Sequence, residues 1–312
     1  MTIGIPKGLL YSKYHIFAEA FFELLGADIV VSPDTNKAIL DAGVKYCVDD
    51  ACLSIKVYHG HVFWLKDRCD YLLTPRFLSL EKGKSVCPMF CGIIEMMTSS
   101  LPGLPRLIDT PILTLDRDDI LTWALKAGSV VTKNKKLIKA AFETAIEKQR
   151  TYKIEYNDTV YPKKVALIGH TYHIHDRFIN MDLINKLHNL NIGIQTAESV
   201  EKDSIEEQSA QLYKPLFWYF AREYYGAAVS LYKNHDIDGI IYISAFSCGV
   251  DSVVVDLIKH ETGSFPFMVL KLDEHTGEAA FDTRLEAFAD MLKRRSLHGC
   301  YRSAHGQYVL SC

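Results

Sequence analysis

Three of the eight cysteines in this chain of 312 residues stand where a helix is expected to begin. Cys248 follows the apolar strand GIIYISAF, Cys52 follows a polar segment, and Cys87 precedes Pro88, which suits the first turn of a helix. A helix N-terminus lowers the pKa of a thiol, and the thiolate is the form that binds metals. The sequence therefore predicts a shared metal site for Cys52, Cys87 and Cys248.

Three thiolates suit a soft metal centre, and the residues leave its identity open. A cubane iron–sulfur cluster with three cysteine ligands keeps one iron open for substrate or water. Three sulfurs and a water can also bind zinc. Cys91 lies four residues after Cys87, on the same helix face, so it is either a further ligand or a neighbour of the site.

The remaining cysteines have simpler interpretations. None of the eight forms a CxxC pair, so a zinc ribbon is not indicated. Cys47 and Cys69 are expected to be small core residues. Cys300 and Cys312 lie in the C-terminal tail and are given no role.

Polar residues follow the strand FPFMVLKL, at the sheet edge where α/β proteins bind ligands. Glu274 and His275 are candidate catalytic residues there, because a carboxylate and an imidazole can donate or accept protons. The alternative is a loop at a helix entry whose polar groups cap the backbone, with Thr283 as a cap of the last helix.

The elements that must position these residues occur in two similar halves. Each half begins with a strand, a loop carrying tyrosine and histidine, a helix and a second strand. This order predicts an α/β fold of two Rossmann-like domains with parallel sheets, residues 1–160 and 161–312, and a cluster site in the cleft between them. The polar helix at 137–156 is expected to bridge the domains rather than to fill a core.

Composition excludes several classes of function. The formal net charge is −3 and no Lys/Arg-rich face is apparent, which argues against nucleic-acid binding. The N-terminal residues do not resemble a signal peptide, and no apolar run reaches the roughly 18 residues of a membrane span. We expect a cytoplasmic protein. The chain has neither GxGxxG nor GxxxxGK[ST], so no nucleotide site is predicted within it.

Six segments, in order along the chain, resemble the 2-hydroxyacyl-CoA dehydratase-like superfamily, and more narrowly its acyl-CoA dehydratase activase-related branch. The likeness extends from residue 2 to about residue 294. The segments are IGIPKGLLYSKYHIFAEAFF, VDDACLSIKVYHGHV, SVCPMFCG, GHTYHIHDRFIN, SAFSCGVDS and LDEHTGEAAFDTRLEAFADM.

The resemblance implies a cofactor and a partner that spacing alone does not show. It implies a [4Fe-4S] cluster held by Cys52, Cys87 and Cys248, or a sulfide-bridged double cubane [8Fe-9S]. It also implies electron delivery by a separate ATP-hydrolysing activator of the sugar kinase/actin class, and a homo- or heterodimer with a related subunit. Cys91 departs from the pattern of the branch and is a candidate fourth ligand.

The leading hypothesis is an iron–sulfur protein that takes low-potential electrons from the activator and reduces or dehydrates a small molecule such as an acyl-CoA. One alternative is a non-catalytic electron relay or cluster-carrying scaffold. Another is a metal-free α/β binding module.

Overall fold

The computed structural model describes residues 1–297, 301–302 and 308–309. The strands are β1 (Thr2–Ile5), β2 (Asp28–Val31), β3 (Tyr71–Leu73), β4 (Arg76–Phe77), β5 (Ser79–Glu81), β6 (Lys84–Ser85), β7 (Arg106–Ile108), β8 (Pro111–Ile112), β9 (Lys163–Gly169), β10 (Ile192–Thr196), β11 (Gly239–Ala245), β12 (Phe267–Leu272), β13 (Tyr301–Arg302) and β14 (Tyr308–Val309). The helices are α1 (Tyr11–Leu24), α2 (Lys37–Tyr46), α3 (Leu53–Leu65), α4 (Pro88–Cys91), α5 (Ile93–Ser100), α6 (Arg117–Gly128), α7 (Lys135–Thr151), α8 (Thr171–Ile174), α9 (Leu183–Asn189), α10 (Lys202–Ala210), α11 (Tyr219–Lys233), α12 (Gly249–Thr262) and α13 (Glu278–Leu297).

Two four-stranded parallel sheets carry the fold, with strand orders β2-β1-β3-β7 and β10-β9-β11-β12. Both sheets thus place the first and third strands of their half side by side. The predicted α/β class with parallel Rossmann-like sheets is confirmed. In such sheets the chain turns in opposite directions from these two central strands, and ligands bind in the crevice beyond their carboxyl ends. In the second half this crevice lies between β9 and β11.

Apolar packing crosses the predicted boundary at residue 160. One buried cluster contains Tyr58 and Met97 from the first half together with Tyr224 and Tyr242 from the second. Helix α3 lies at this junction and is buried over most of its length. Its apolar sequence suits this position, because a helix that is apolar on most sides needs partners on most sides. The division into two domains stays a prediction.

Helices α2 and α3 cross at a distance that only glycine permits. A Cβ atom added to Gly43 would lie 1.9 Å from the carbonyl oxygen of Lys56, and one added to Gly60 would lie 1.9 Å from the carbonyl oxygen of Ile39. Since both obstacles are backbone atoms, no side-chain rotation relieves the overlap. This contact fixes α3, and with it the position of Cys52 at its N-terminus.

Two local predictions were wrong for backbone reasons. The sequence DRFINMDLINKLHNLN at 176–191 predicts one helix. The structure restricts it to α9, because Met181 and Asp182 adopt left-handed φ angles of 54° and 58°. The preceding residues form a turn in which the Asp176 carboxylate accepts hydrogen bonds from the amides of Phe178 and Ile179. Thr283 does not cap the last helix, since it lies within α13 and donates its hydroxyl hydrogen bond to a carbonyl of that helix.

The helix expected to bridge the domains takes part in the core of the first half. Helix α7 buries Ile138, Ala141, Phe142 and Ala145 in that core. These side chains recur at intervals of three and four residues, so one stripe of an otherwise polar helix faces inward. The low average hydrophobicity of the segment concealed this stripe.

Candidate metal centre

Cys52, Cys87 and Cys248 line one small, largely apolar cavity. Each is the residue immediately before a helix, namely α3, α4 and α12. The prediction that each of these cysteines stands at a helix start is confirmed. The cavity has a volume of about 30 Å³, enough for roughly one or two water molecules. Three thiols from distant parts of the chain are therefore brought to one place.

Aromatic side chains form much of the wall around these thiols. Phe90, Tyr172, Trp218 and Phe220 line the cavity together with Leu9 and other apolar residues. The Phe90 ring lies 6.0 Å from that of Tyr172 and 6.0 Å from that of Phe220, between ring centroids. Such a wall keeps bulk solvent away from the thiols and strengthens electrostatic interactions inside the cavity.

Burial has the largest effect on the pKa of each of the three thiols. It raises the pKa of Cys87 to about 11, and the neighbouring Cys52 adds to the rise. Burial, followed by the carboxylate of Asp251, raises the pKa of Cys248 further still. Burial also raises the pKa of Cys52. Burial therefore outweighs the effect of the helix N-termini on the pKa of these thiols.

A buried carboxylate and a histidine lie beside Cys248. Asp251 is 1% exposed, and its Oδ1 accepts a hydrogen bond of 2.9 Å from the hydroxyl of Tyr242. The same oxygen lies 3.3 Å from Nε2 of His170. One ligand atom from each of His170, Cys248 and Asp251 lies within 4.8 Å of the other two. These residues form a mixed sulfur, nitrogen and oxygen group that could hold a metal ion.

Asp251 is a carboxylate in this environment. Burial favours its neutral form, but His170, with smaller contributions from Ser244 and His173, outweighs burial and lowers the pKa of Asp251. No local sequence pattern marks Asp251 or His170 as part of a metal site. Their closeness follows from the pairing of β9 with β11, because His170 directly follows the one strand and Cys248 comes three residues after the other.

Glu274 and His275, the predicted catalytic residues, do not line the cysteine cavity. Oε1 of Glu274 accepts a 2.5 Å hydrogen bond from Nζ of Lys56, whose side chain is 6% exposed. His275 is exposed, and its amide donates to Asp273. Asp273 and Thr276 form hydrogen bonds with each other. This is the arrangement expected of a loop at a helix entry whose polar groups cap the backbone. The proton-transfer role stays a prediction.

The other described cysteines lie outside the cavity wall. Cys91 ends α4, and its Sγ lies 3.7 Å from the carbonyl oxygen of Phe77. Cys47 is buried, and Cys69 donates to a carbonyl of α3 over 3.4 Å. Cys300 and Cys312 lie outside the described residues. Cys91 as a fourth ligand stays a prediction.

A larger polar cavity of about 440 Å³ adjoins the cysteine cavity. Leu9, Ser54, Tyr172 and His173 line both. Nε2 of His173 lies 2.6 Å from the hydroxyl of Ser54, and burial lowers the pKa of His173 to about 3. A neutral imidazole and a hydroxyl thus separate the thiols from a space large enough for a small molecule.

Residues 2–200 match the model of a family described as "CoA enzyme activase uncharacterised domain". The chain belongs to this family. No curated protein matches the chain. The matched part of this CoA enzyme activase family member includes Cys52 and Cys87, whereas Cys248 and Asp251 lie beyond it. The family description associates the chain with the activation of CoA enzymes. Of the helices described, none is both long and apolar enough to span a membrane.

Proposed function

We propose that this chain is an iron–sulfur protein that takes low-potential electrons from an ATP-hydrolysing activator and uses them to reduce or dehydrate a small molecule, an acyl-CoA thioester. The activator belongs to the sugar kinase/actin class in this proposal. The observation that carries it is the meeting of Cys52, Cys87 and Cys248 on one cavity, each at the N-terminus of a different helix.

The donor set fits a [4Fe-4S] cluster in its chemistry. Three cysteine sulfurs are the usual kind of ligand for such a cluster, and an apolar wall favours its retention. A single zinc ion would need the three cysteine sulfurs closer together, because among the described residues they do not form a group whose ligand atoms all lie within 4.8 Å of one another. Metal and sulfide contents separate the two centres.

The residues of the chain would hold and protect this centre. Cys52, Cys87 and Cys248 are the sulfur ligands, and the amide of Asp251 already points to Sγ of Cys248 over 3.5 Å. Amide donors to sulfur stabilise negative charge on a cluster and so tune its potential. When bound, the cluster would supply single electrons at low potential.

The adjoining polar cavity is the natural place for the small molecule in this proposal. It lies at the carboxyl ends of β1 and β9, because Lys7 and Gly8 follow the one strand and Tyr172 and His173 follow the other. Lys7 and Arg177 also line it. The reacting group would thus approach the metal centre across the wall formed by Ser54 and His173.

Two other functions lead to different results. A non-catalytic electron relay, or a scaffold subunit, would bind the cluster and accept electrons but convert no acyl-CoA thioester in the presence of activator, ATP and reductant. A metal-free α/β binding module would bind neither iron nor sulfide. Because the three cysteines line one cavity, a metal centre is favoured over the metal-free binding module.

Serine substitution of each cavity cysteine tests the ligand assignment. We expect Cys52→Ser, Cys87→Ser and Cys248→Ser each to lower bound iron well below the about four per chain of a cubane after anaerobic reconstitution, because a ligand is lost. Cys47→Ser and Cys69→Ser are the matched controls and should keep the wild-type content. Equal iron in all five variants, measured colorimetrically, would refute the assignment. Loss of iron in Cys91→Ser would identify Cys91 as a fourth ligand.

A further inference from the structure

We propose that Asp251 is the non-cysteine ligand of the metal centre, binding the metal through its second carboxylate oxygen. This inference rests on the proposed function, because Asp251 lies beside Cys248, one of the proposed sulfur ligands. The Asp251 side chain itself does not line the cysteine cavity. The inference names a ligand that neither the sequence resemblance nor the family description assigns.

The two carboxylate oxygens of Asp251 have different surroundings. Oδ1 is held by the hydroxyl of Tyr242 at 2.9 Å and lies 3.3 Å from Nε2 of His170. Oδ2 is buried and has no hydrogen-bond partner among the described residues. A buried carboxylate oxygen without a partner is costly, so a native protein normally supplies it with a donor or a cation.

Helix capping does not account for this carboxylate. Asp251 is the third residue of α12, the position from which an acidic side chain can reach back to the amide of the capping residue. That amide belongs to Cys248 and donates instead to the carbonyl of Ala245 over 3.1 Å. The side chain of Asp251 bonds to strand β11 through Tyr242, so it is turned toward the sheet rather than around its own helix terminus.

The position of Asp251 relative to Cys248 suits metal binding. A carboxylate oxygen, a nitrogen of His170 and Sγ of Cys248 all lie within 4.8 Å of one another. Around a zinc-like ion, ligand atoms about 2.0–2.3 Å from the metal are separated by roughly 3–4 Å. Sγ of Cys248 and a carboxylate oxygen of Asp251 therefore need only a small adjustment to bind one ion. Iron accepts both thiolate and carboxylate ligands.

His170 and Tyr242 act as positioning residues in this arrangement. Nδ1 of His170 lies 3.2 Å from the hydroxyl of Tyr224, and Tyr242 is fully buried. Because Tyr242 and His170 both contact Oδ1, they fix the orientation of the Asp251 carboxylate. Such outer contacts set the geometry and affinity of a metal ligand.

Cobalt(II) titration under anaerobic conditions tests Asp251 without requiring a cluster. We expect Asp251→Asn to weaken Co²⁺ binding by roughly tenfold or more. Asp251→Cys should retain binding and gain thiolate-to-cobalt absorption, because a further sulfur joins the metal. Asp256→Asn, which removes an exposed carboxylate from the same helix, is the matched control and should behave as wild type.

The outcomes separate this inference from the proposed function. Wild-type affinity in Asp251→Asn, together with unchanged absorption in Asp251→Cys, would overturn the role of Asp251, as would a wild-type protein that binds no Co²⁺. Parallel reconstitution with iron and sulfide tests the cluster itself. A wild type that takes up Co²⁺ through Asp251 but no sulfide would support the ligand and reject the iron–sulfur function. Circular dichroism confirms that each variant is folded.

Discussion

Gly43→Ala is expected to lower the free energy of unfolding by about 3 kcal/mol, because overpacking a close contact forces the backbone to shift. Alanine normally stabilises the interior of a helix relative to glycine by up to about 1 kcal/mol. The sign reverses here because the new Cβ would lie 1.9 Å from the carbonyl oxygen of Lys56. Urea denaturation followed by circular dichroism measures the change.

Gly277→Ala is the control for this substitution, since a Cβ at Gly277 meets no atom within 4 Å. It should leave the free energy of unfolding nearly unchanged. Because α3 carries Cys52 at its N-terminus, Gly43→Ala should also weaken metal binding in the fraction that remains folded. Gly43→Ala with wild-type stability would mean that α2 and α3 do not pack as described.

Lys56→Met is expected to lower the free energy of unfolding by about 3 kcal/mol at neutral pH, because it leaves the carboxylate of Glu274 without its partner in a largely buried place. The side chains of Lys56 and Glu274 are 6% and 19% exposed. Lys56 lies on α3 and Glu274 follows β12, so this ion pair joins the two halves. Lys37→Met, which breaks an exposed pair with Asp41, should cost less than about 1 kcal/mol.

The effect of Lys56→Met should depend on pH. Burial acts to raise the pKa of Glu274, but the hydrogen bond and charge of Lys56 outweigh it and the net pKa is lowered. A carboxyl whose pKa is lower in the folded state contributes stability that is present above its unfolded pKa of about 4.3 and is lost as the pH falls through its folded pKa. The difference between wild type and Lys56→Met should therefore be full at pH 7 and shrink below about pH 4. A constant difference would argue against the ion pair.

The sequence revealed those parts of the fold and site that depend on local patterns. Apolar runs marked the strands of both sheets. Gly26, with a φ of 90°, follows the C-cap of α1, a position at which glycine is a common helix-end signal. The prediction of helix starts at Cys52, Cys87 and Cys248 succeeded because local signals mark each one. A polar segment precedes Cys52, Pro88 follows Cys87, and a strand end precedes Cys248.

Features that depend on distant residues were not predictable in the same way. The closeness of His170 to Asp251 depends on the pairing of β9 with β11 across more than seventy residues. The shortening of α9 depends on left-handed φ angles at Met181 and Asp182, which are uncommon for residues other than glycine. The pairing of Glu274 with Lys56 required the packing of one half on the other. In each case tertiary contacts decided the outcome.

The most direct test of the metal centre is iron and acid-labile sulfide analysis of the wild-type protein after strictly anaerobic purification. We expect a brown protein with about four irons and a matching amount of sulfide per chain, or about eight irons for a double cubane. A colourless protein that contains neither iron nor sulfide, and takes up neither on anaerobic reconstitution, would contradict the proposal that these cysteines hold an iron–sulfur cluster.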